Sequence, residues 1–316
     1  MPEPDHEAGT TALVELGAAL RAGGYKFTTI TPASHAIVNA RPSNALARNM
    51  TDVFGWSRPF RGGVLPDPIV SLMQRADVLE EAPGGFRSRV RVSTLRDMLF
   101  FHSAFPTEAR DAVFFGPDTY KFADAIRLHL AERHTAPSRA VDVFSGAGPG
   151  GLVIAQQTPG VAVQLADIND NALRLARVNT RLAGAADVVA RHSNLLDGVD
   201  GDFDLVVGHP PYLVDRSERA YRHGGGSLGS GLALALIEAA LPRLRPGGSL
   251  LLFTGVVVVD GDDPFRDSAA ATLAKAGFSW SYREVDPDVF GEELTRAPYD
   301  ASDRIALVAL TAVRPA

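Results

Sequence analysis

The chain has 316 residues, of which 46% are hydrophobic, so it can bury the core of one large or two ordinary domains. It contains no cysteine, which excludes disulfides, thiolate metal sites and cysteine nucleophiles. The formal net charge of −6 provides no global attraction to nucleic acid or to an anionic membrane.

The first 105 residues carry short and mixed signals. Their acidic N-terminus lacks a secretion-signal pattern, so we expect a cytoplasmic protein with no membrane partner. Helices are predicted at 11–21, 43–53 and 68–74, and a hairpin is predicted between 77–81 and 86–92. This order predicts a helical or winged-helix-like recognition domain at 1–105, followed by a second domain at 106–316.

Three arginines alternate along the second predicted hairpin strand: Arg87, Arg89 and Arg91. Alternate residues of a strand share one face, so this face either grips phosphate or an acidic partner, or simply faces water. We favour the second interpretation, because a run of charges usually faces solvent.

From residue 139 onward, apolar runs of strand length alternate with helical spacing. Strands are predicted at 140–144, 161–166, 188–191, 203–208, 249–257, 278–285 and 305–313. Helices are predicted at 150–157, 171–183, 228–244 and 264–276. This alternation predicts an α/β fold with a parallel, doubly wound sheet, and the last two strands form an antiparallel pair because only a loop joins them.

A glycine-rich turn follows the first of these strands, at Ser145-Gly146-Ala147-Gly148. Glycines allow the backbone to turn sharply and to approach a ligand, although a plain strand-to-helix turn is the simpler alternative. Asp142 lies inside the end of the strand, where a charge requires a cationic or donor partner. Asp167 ends the next strand, where an acid can accept both hydroxyls of a ribose.

The segment Gly208-His209-Pro210-Pro211-Tyr212 follows the predicted strand at 203–208. Two prolines lack the N–H groups that a ladder needs, so the chain must leave the sheet there. It leaves at the carboxyl end of a strand, the edge at which open α/β sheets bind ligands. The alternative is a proline-capped strand end without a role.

This chain resembles the class I S-adenosylmethionine (SAM)-dependent methyltransferases in the order of four features: Asp142, the glycine turn, Asp167 and the Pro-Pro-Tyr segment. Within them the chain is similar to the (Asp/Asn/Ser)-Pro-Pro-Tyr amino-methyltransferases, which include release-factor glutamine methyltransferases and N6-adenine methyltransferases. The resemblance covers about residues 110–313. It implies a Rossmann-like, seven-stranded sheet with an antiparallel last strand, and it favours SAM over a nicotinamide cofactor, which normally requires three spaced glycines.

The resemblance also implies where the cofactor binds. Asp142 would face the methionine amino group, Asp167 would hold the ribose and Ile168 would lie against the adenine. The segment 115–120 resembles the one that covers the SAM methionine in the same enzymes. The cofactor-binding residues are then expected to be Asp142, Ser145, Gly146, Gly148, Asp167, Ile168, Asn194, Leu195, Thr119 and Tyr120. No metal site is expected.

The expected catalytic residues are His209, Pro210, Pro211 and Tyr212. In the family, the first side chain and a proline carbonyl accept the two N–H bonds of a planar NH2 group, and the Tyr ring stacks on the substrate. His209 replaces the usual acceptor, and it would accept through Nδ1 as a neutral ring, act as a base, or be only a spacer. If it accepts, activity should fall below about pH 6.5.

The sequence therefore predicts a SAM-dependent N-methyltransferase that acts on a planar amine or amide nitrogen of a protein side chain or small molecule. The first alternative is an adenine-N6 methyltransferase acting on RNA or DNA, and the second is a non-catalytic, SAM-binding regulatory protein. Three arginines that follow the site, Arg216, Arg219 and Arg222, would either clasp an anionic substrate or face solvent. The sequence leaves the oligomeric state open.

Overall fold

The computed structural model describes residues 6–215, 217 and 219–316. In this described part, the N-terminal third is mainly helical and carries two small antiparallel sheets. Its helices are α1 (His6–Ala22), α2 (Pro32–Asn39), α3 (Met50–Phe54) and α4 (Asp67–Arg75). One sheet pairs β1 (Leu79–Ala82) with β2 (Gly85–Ser88), and the other pairs β3 (Val90–Leu95) with β4 (Met98–Ser103).

The helix predicted at 43–53 is wrong over its first seven residues and right from residue 50 onward. The chain forms only a short 3-10 turn at Pro42–Asn44, and α3 starts later, at Met50. Asn49 sets this start, because its extended backbone cannot continue a helix and its side chain accepts a hydrogen bond from the Asp52 N–H. Helix α2 and strand β4 were not predicted.

The strand predicted at 86–92 is also interrupted, so its three arginines do not share a face. The Ser88 side chain accepts from the Val90 N–H, and the chain passes from one small sheet to the other there. Arg87 and Arg89 pair with Glu80 on the surface. Arg91 is buried and donates to the Gly55 carbonyl instead.

The rest of the chain builds a doubly wound α/β sheet, as predicted. Its helices are α5 (Pro117–Glu132), α6 (Pro149–Gln157), α7 (Asp170–Ala183), α8 (Gly231–Ala240) and α9 (Pro264–Ala276). Its strands are β5 (Arg139–Val143), β6 (Ala162–Asp167), β7 (Val188–His192), β8 (Phe203–Gly208), β9 (Leu244–Val258), β10 (Ser279–Asp286) and β11 (Arg304–Val313). Helix α5 is the one long helix of this described part that the sequence pattern did not predict.

Within the described chain, the strand order in this sheet is β10-β11-β9-β8-β5-β6-β7, and β11 runs antiparallel to both of its neighbours. The strand order reverses beside β5, which pairs with β6 on one side and β8 on the other. In register, Val143 lies opposite both Ala166 and Gly208, so the carboxyl ends of the three strands meet. A ligand site is expected at this edge.

Helix α7 joins the N-terminal third to the sheet. Its buried face, with Leu175, Val178 and Leu182, belongs to the same apolar cluster as Leu13 and Leu16 of α1. Asn179 of α7 is fully buried. It accepts a hydrogen bond from the Phe101 N–H in β4 and donates to the carbonyls of Phe101 and of Ala147 in the glycine turn. The glycine turn is thereby fastened to the N-terminal sheet.

Candidate functional site

A cleft opens where β5, β6 and β8 end, and it collects most of the residues expected to bind a cofactor or to act in catalysis. Those that line it are Thr119, Asp142, Ser145, Gly146, Asp167, Ile168, Asn194, Leu195, His209, Pro210, Pro211 and Tyr212. The structure therefore brings the glycine turn, the second acid and the Pro-Pro-Tyr segment together around one space, which we call the inner cavity.

Two expected residues do not line the inner cavity. Tyr120 points to the N-terminal third, where its hydroxyl accepts a hydrogen bond from the Thr29 N–H at 2.9 Å. Gly148 caps α6 with a φ of +86° and packs toward Leu165 and Ala176. Both residues shape the fold around the cavity rather than its surface.

Asp142 is buried at the end of β5, and only part of its carboxylate is satisfied. Its Oδ2 accepts from the Gly151 N–H at 2.8 Å, whereas the buried Oδ1 has no hydrogen-bond partner among the described residues. Burial raises the pKa of Asp142 to about 7, and the nearby Asp167 adds to this effect. The site therefore favours a donor or a cation next to Oδ1.

Asp167 ends β6 and holds the glycine turn in place. Its Oδ2 accepts from the Gly146 N–H at 2.8 Å, and its Oδ1 accepts from the Asn169 N–H at 2.9 Å. Burial raises the pKa of Asp167 in spite of these bonds. The next residue, Ile168, is 55% exposed although it is a large apolar residue, and it forms an open apolar wall of the inner cavity.

Phe144 begins the turn with a φ of +59°. This left-handed conformation suits glycine and costs a bulky residue of the order of 1 kcal/mol or more. Glycine is the residue that this backbone geometry favours. Here the aromatic ring is half-buried against the sheet core and lines the inner cavity.

His209 differs from the expected acceptor in how its ring is held. Nδ1 lies 2.9 Å from the Phe253 carbonyl oxygen, and Nε2 lies 3.3 Å from Oδ2 of Asp118. A carbonyl oxygen only accepts, so Nδ1 must donate to it. Nδ1 is therefore engaged in the fold and is not free to accept from a substrate, which removes the first of the three roles expected for His209.

Asp118 is a site residue that the sequence analysis missed. It lies in the first turn of α5 and is nearly buried, and its Oδ2 also accepts from the Tyr212 hydroxyl at 3.1 Å. The only signal in the sequence was its position directly before Thr119, in a segment already expected to cover the cofactor. Its contact with His209 depends on a tertiary approach of α5 to β8.

Two further cavities adjoin the inner one. Phe114, Asp118 and Tyr212 line all three, so these side chains form the shared wall. The first outer cavity is lined mainly by aromatic and proline residues, among them Phe105 and Tyr221. The second outer cavity has an acidic rim that includes Asp288 and Glu292.

The arginines after the Pro-Pro-Tyr segment are neutralised by acids. Arg219 forms a two-pronged ion pair with Asp215, and this pair lowers the pKa of Asp215 to about 2. Arg222 pairs with Glu293 and lies 3.7 Å from Asp215. Arg216 lies outside the described residues. Both described arginines line the first outer cavity and each is paired with an acid, and Arg222 shares Glu293 with Arg296.

A glycine-rich segment packs directly on the backbone of Tyr212. The Gly224 N–H donates to the Leu213 carbonyl at 2.8 Å, and a methyl group at Gly229 would overlap the Tyr212 carbonyl oxygen. Gly229 also has a φ of +88°. Glycine at these positions therefore fixes the course of the chain after the prolines.

Comparison with known proteins identifies the domain that carries this cleft. Residues 121–257 match the family described as the methyltransferase small domain. A release factor glutamine methyltransferase of Deinococcus radiodurans is 35% identical over 52% of this chain and 60% of that protein. A 4-amino-L-phenylalanine/4-methylamino-L-phenylalanine methyltransferase of Streptomyces pristinaespiralis is 29% identical over 54% of this chain and 60% of that protein.

A ribosomal RNA small subunit methyltransferase C of Klebsiella pneumoniae is 31% identical over 43% of this chain and 36% of that protein. The chain thus spans 60% or less of each of these three relatives. None of the helices in the described residues combines the length and apolar character needed to cross a membrane.

The inner cavity fits SAM, the cofactor of this family. Oδ1 of Asp142 and the buried Oγ of Ser145, which have no hydrogen-bond partner in the described part of the chain, can receive the polar methionine end. The exposed face of Ile168 offers an apolar surface for the adenine. Two acids with raised pKa and an apolar wall match a ligand that joins a cationic amino acid, a ribose and a base.

Proposed function

We propose that this chain, which belongs to the class I SAM-dependent methyltransferases, transfers a methyl group to a planar amine or amide nitrogen of a protein side chain or small molecule. The observation that carries the proposal is the position of the Pro-Pro-Tyr segment. Tyr212 and Asp118 line the inner cavity and both outer cavities, so a nitrogen that enters from outside meets the cofactor there.

In this proposal, the chain orients the acceptor nitrogen and excludes water from the site of methyl transfer. When bound, SAM supplies a methyl group on a sulfonium, which is a good leaving group, so little acid–base help is needed. The Pro210 and Pro211 backbones are rigid, and Tyr212 is buried beside them, so the acceptor nitrogen would be held in a fixed direction. Asp142, Ser145, Gly146, Thr119, Asp167, Ile168, Asn194 and Leu195 would bind the cofactor.

The N-terminal residues 1–105 would help to recognise the acceptor. Pro32 lines both outer cavities, and Phe105 lines the first of them. Two of the relatives named above act on glutamine or on 4-amino-L-phenylalanine, and both compounds carry a planar NH2 group. An aromatic-lined cavity suits the flat part of either acceptor. The relatives' substrates also support the cytoplasm as the expected location.

The alternative acceptor is adenine N6 in RNA or DNA, and the relative that methylates ribosomal RNA supports it. The charges near the site argue against it. The described arginines beside the outer cavity are paired with acids, and the second outer cavity has an acidic rim. Arg87 and Arg89 are likewise paired and Arg91 is buried, so the face proposed to hold phosphate does not form.

Radiolabelled SAM tests this proposal. The protein is incubated with methyl-labelled SAM and with lysate separated into protein, RNA and metabolite fractions, and also with N-acetylglutamine amide and 4-amino-L-phenylalanine. We expect label in the protein or metabolite fraction. Label confined to RNA, with a steep dependence of binding on salt, would favour the adenine alternative. SAM binding without transfer to any fraction would indicate a regulatory protein.

A further inference from the structure

Two side chains and one backbone N–H converge on the Asp118 carboxylate at the wall between the cavities. Oδ2 of Asp118 receives the Tyr212 hydroxyl at 3.1 Å and lies 3.3 Å from Nε2 of His209. Oδ1 of Asp118 accepts from the Thr119 N–H at 2.9 Å. A carboxylate can accept about four hydrogen bonds, so one position on Oδ1 stays open.

His209 faces an acceptor on each side. Its Nδ1 donates to the Phe253 carbonyl, and its Nε2 points to the Asp118 carboxylate, so the ring satisfies both partners only as a donor. The rings of Phe122, Tyr212 and Phe253 surround it at centroid distances of 5.2–5.7 Å and prevent it from turning toward a substrate. His209, which stands where the family has a hydrogen-bond acceptor, therefore acts as a hydrogen-bond donor.

We propose that Asp118 is the hydrogen-bond acceptor for the N–H of the methyl acceptor, and that His209 is a positioning residue that holds its carboxylate. This inference rests on the proposed function. In the family, an acid or amide at position 209 supplies the acceptor oxygen. Here the oxygen comes from α5, through a carboxylate that lines the inner cavity and both outer cavities.

The charge state of Asp118 supports this role. Burial alone would raise its pKa, but the hydrogen bond and electrostatic interaction with His209, with the bonds from Tyr212 and Thr119, lower the pKa below its ordinary value. Asp118 is therefore an anion at neutral pH. An anionic acceptor withdraws the N–H proton more strongly than an amide oxygen does.

The proton balance is consistent with this arrangement. The acceptor nitrogen forms the new bond to the methyl carbon with its lone pair, and the electrons of the old carbon–sulfur bond stay on sulfur. The nitrogen becomes positively charged and must lose one proton, which passes to the Asp118 carboxylate. A protonated planar amide or aromatic amine is acidic enough for a carboxylate to accept this proton.

Asp118→Asn tests the proposal, because it keeps the shape of the side chain and removes the anion. Transfer is measured from methyl-labelled SAM to the lysate fraction or compound that the wild-type protein labels. We expect kcat to fall at least about 100-fold, whereas the Kd of SAM stays within about threefold. The matched control is Asp124→Asn on the same helix, whose side chain is 72% exposed and should leave kcat unchanged.

His209→Asn distinguishes the two possible acceptors, because it restores the family's residue. If Asp118 is the acceptor, this substitution lowers kcat about tenfold in the wild-type background and has almost no effect in the Asp118→Asn background. If His209 had a purely structural role, His209→Asn would instead lower the melting temperature, and the effects of His209→Asn and Asp118→Asn on kcat would be additive.

The opposite results would overturn the assignment. His209→Asn with activity equal to or above that of the wild type would return the acceptor role to position 209, and this result does not depend on whether Asp118→Asn folds. Transfer that persists in a folded Asp118→Asn protein would also reject Asp118. If the wild type labels no fraction and no compound, the proposed function itself fails, and the assignment fails with it.

Discussion

At the residue scale, Asp142 is expected to favour cofactor binding and to lower the stability of the cofactor-free protein. Its pKa is raised to about 7, so the folded state binds this proton more tightly than the unfolded state does. The contribution of Asp142 to stability is therefore complete below its ordinary pKa of about 4, and it is lost as pH rises toward 7. Above that pH, the buried charge destabilises the cofactor-free protein.

Asp142→Asn should remove this cost. We expect the cofactor-free variant to be more stable than the wild type by about 1–3 kcal/mol at about pH 8 and nearly equal to it at about pH 4. The same change should weaken SAM binding at least about tenfold, because it removes the anion that we propose faces the methionine amino group. Thermal melts at the two pH values and titration calorimetry with SAM measure both effects. A stability difference that does not change with pH would contradict the account.

A second prediction at this scale concerns the glycines that cover Tyr212. Gly229→Ala and Gly225→Ala both place alanine at a positive φ, but only the methyl group at Gly229 overlaps the Tyr212 backbone. We expect Gly225→Ala to lose about 1 kcal/mol of stability and Gly229→Ala to lose more, and only Gly229→Ala to lower kcat about 100-fold. Equal activity of the two variants, measured by methyl transfer, would show that the course of this segment does not matter.

At the element scale, the sequence predicted the sheet better than the site. Strands β5, β6, β8 and β11 carry mainly apolar residues over the length of a strand, with clear breaks between them, so their positions along the chain follow from local patterns. The role of Asp118 could not be predicted, because its contact with His209 forms only when α5 packs near the end of β8. The short N-terminal helices were harder to predict, since caps such as Asn49 override a favourable apolar spacing.

Helix α7 carries a third prediction. Asn179→Asp keeps the size of the side chain but replaces the two N–H donors with a buried charge that faces the carbonyls of Phe101 and Ala147. We expect a loss of about 3 kcal/mol in the free energy of unfolding, and weaker SAM binding because the glycine turn is released. Denaturant unfolding measures the loss.

The control for this prediction is Arg181→Ala on the same helix, which breaks an exposed ion pair with Glu7. It should cost less than about 1 kcal/mol. If Asn179→Asp costs no more than this control, the amide does not join the turn to the N-terminal sheet.

At the scale of the whole molecule, the N-terminal third and the methyltransferase domain share a core. Leu175, Val178 and Leu182 of α7 are buried against α1 and its neighbours. We therefore expect a fragment of residues 106–316 to expose this face, bind a hydrophobic dye and unfold without a sharp transition. Calorimetry of the fragment beside the full chain measures this. A cooperative transition in the fragment would show that the proposed domain at 106–316 folds independently.

Product analysis after reaction with trideuteromethyl-labelled SAM shows whether the protein methylates a planar nitrogen. The protein is incubated with lysate and labelled SAM, and fragmentation mass spectrometry locates the heavy methyl group. The account predicts the label on an amide or aromatic amine nitrogen of a protein or small molecule. A heavy methyl group found only on oxygen, on carbon or on nucleic-acid bases would contradict it.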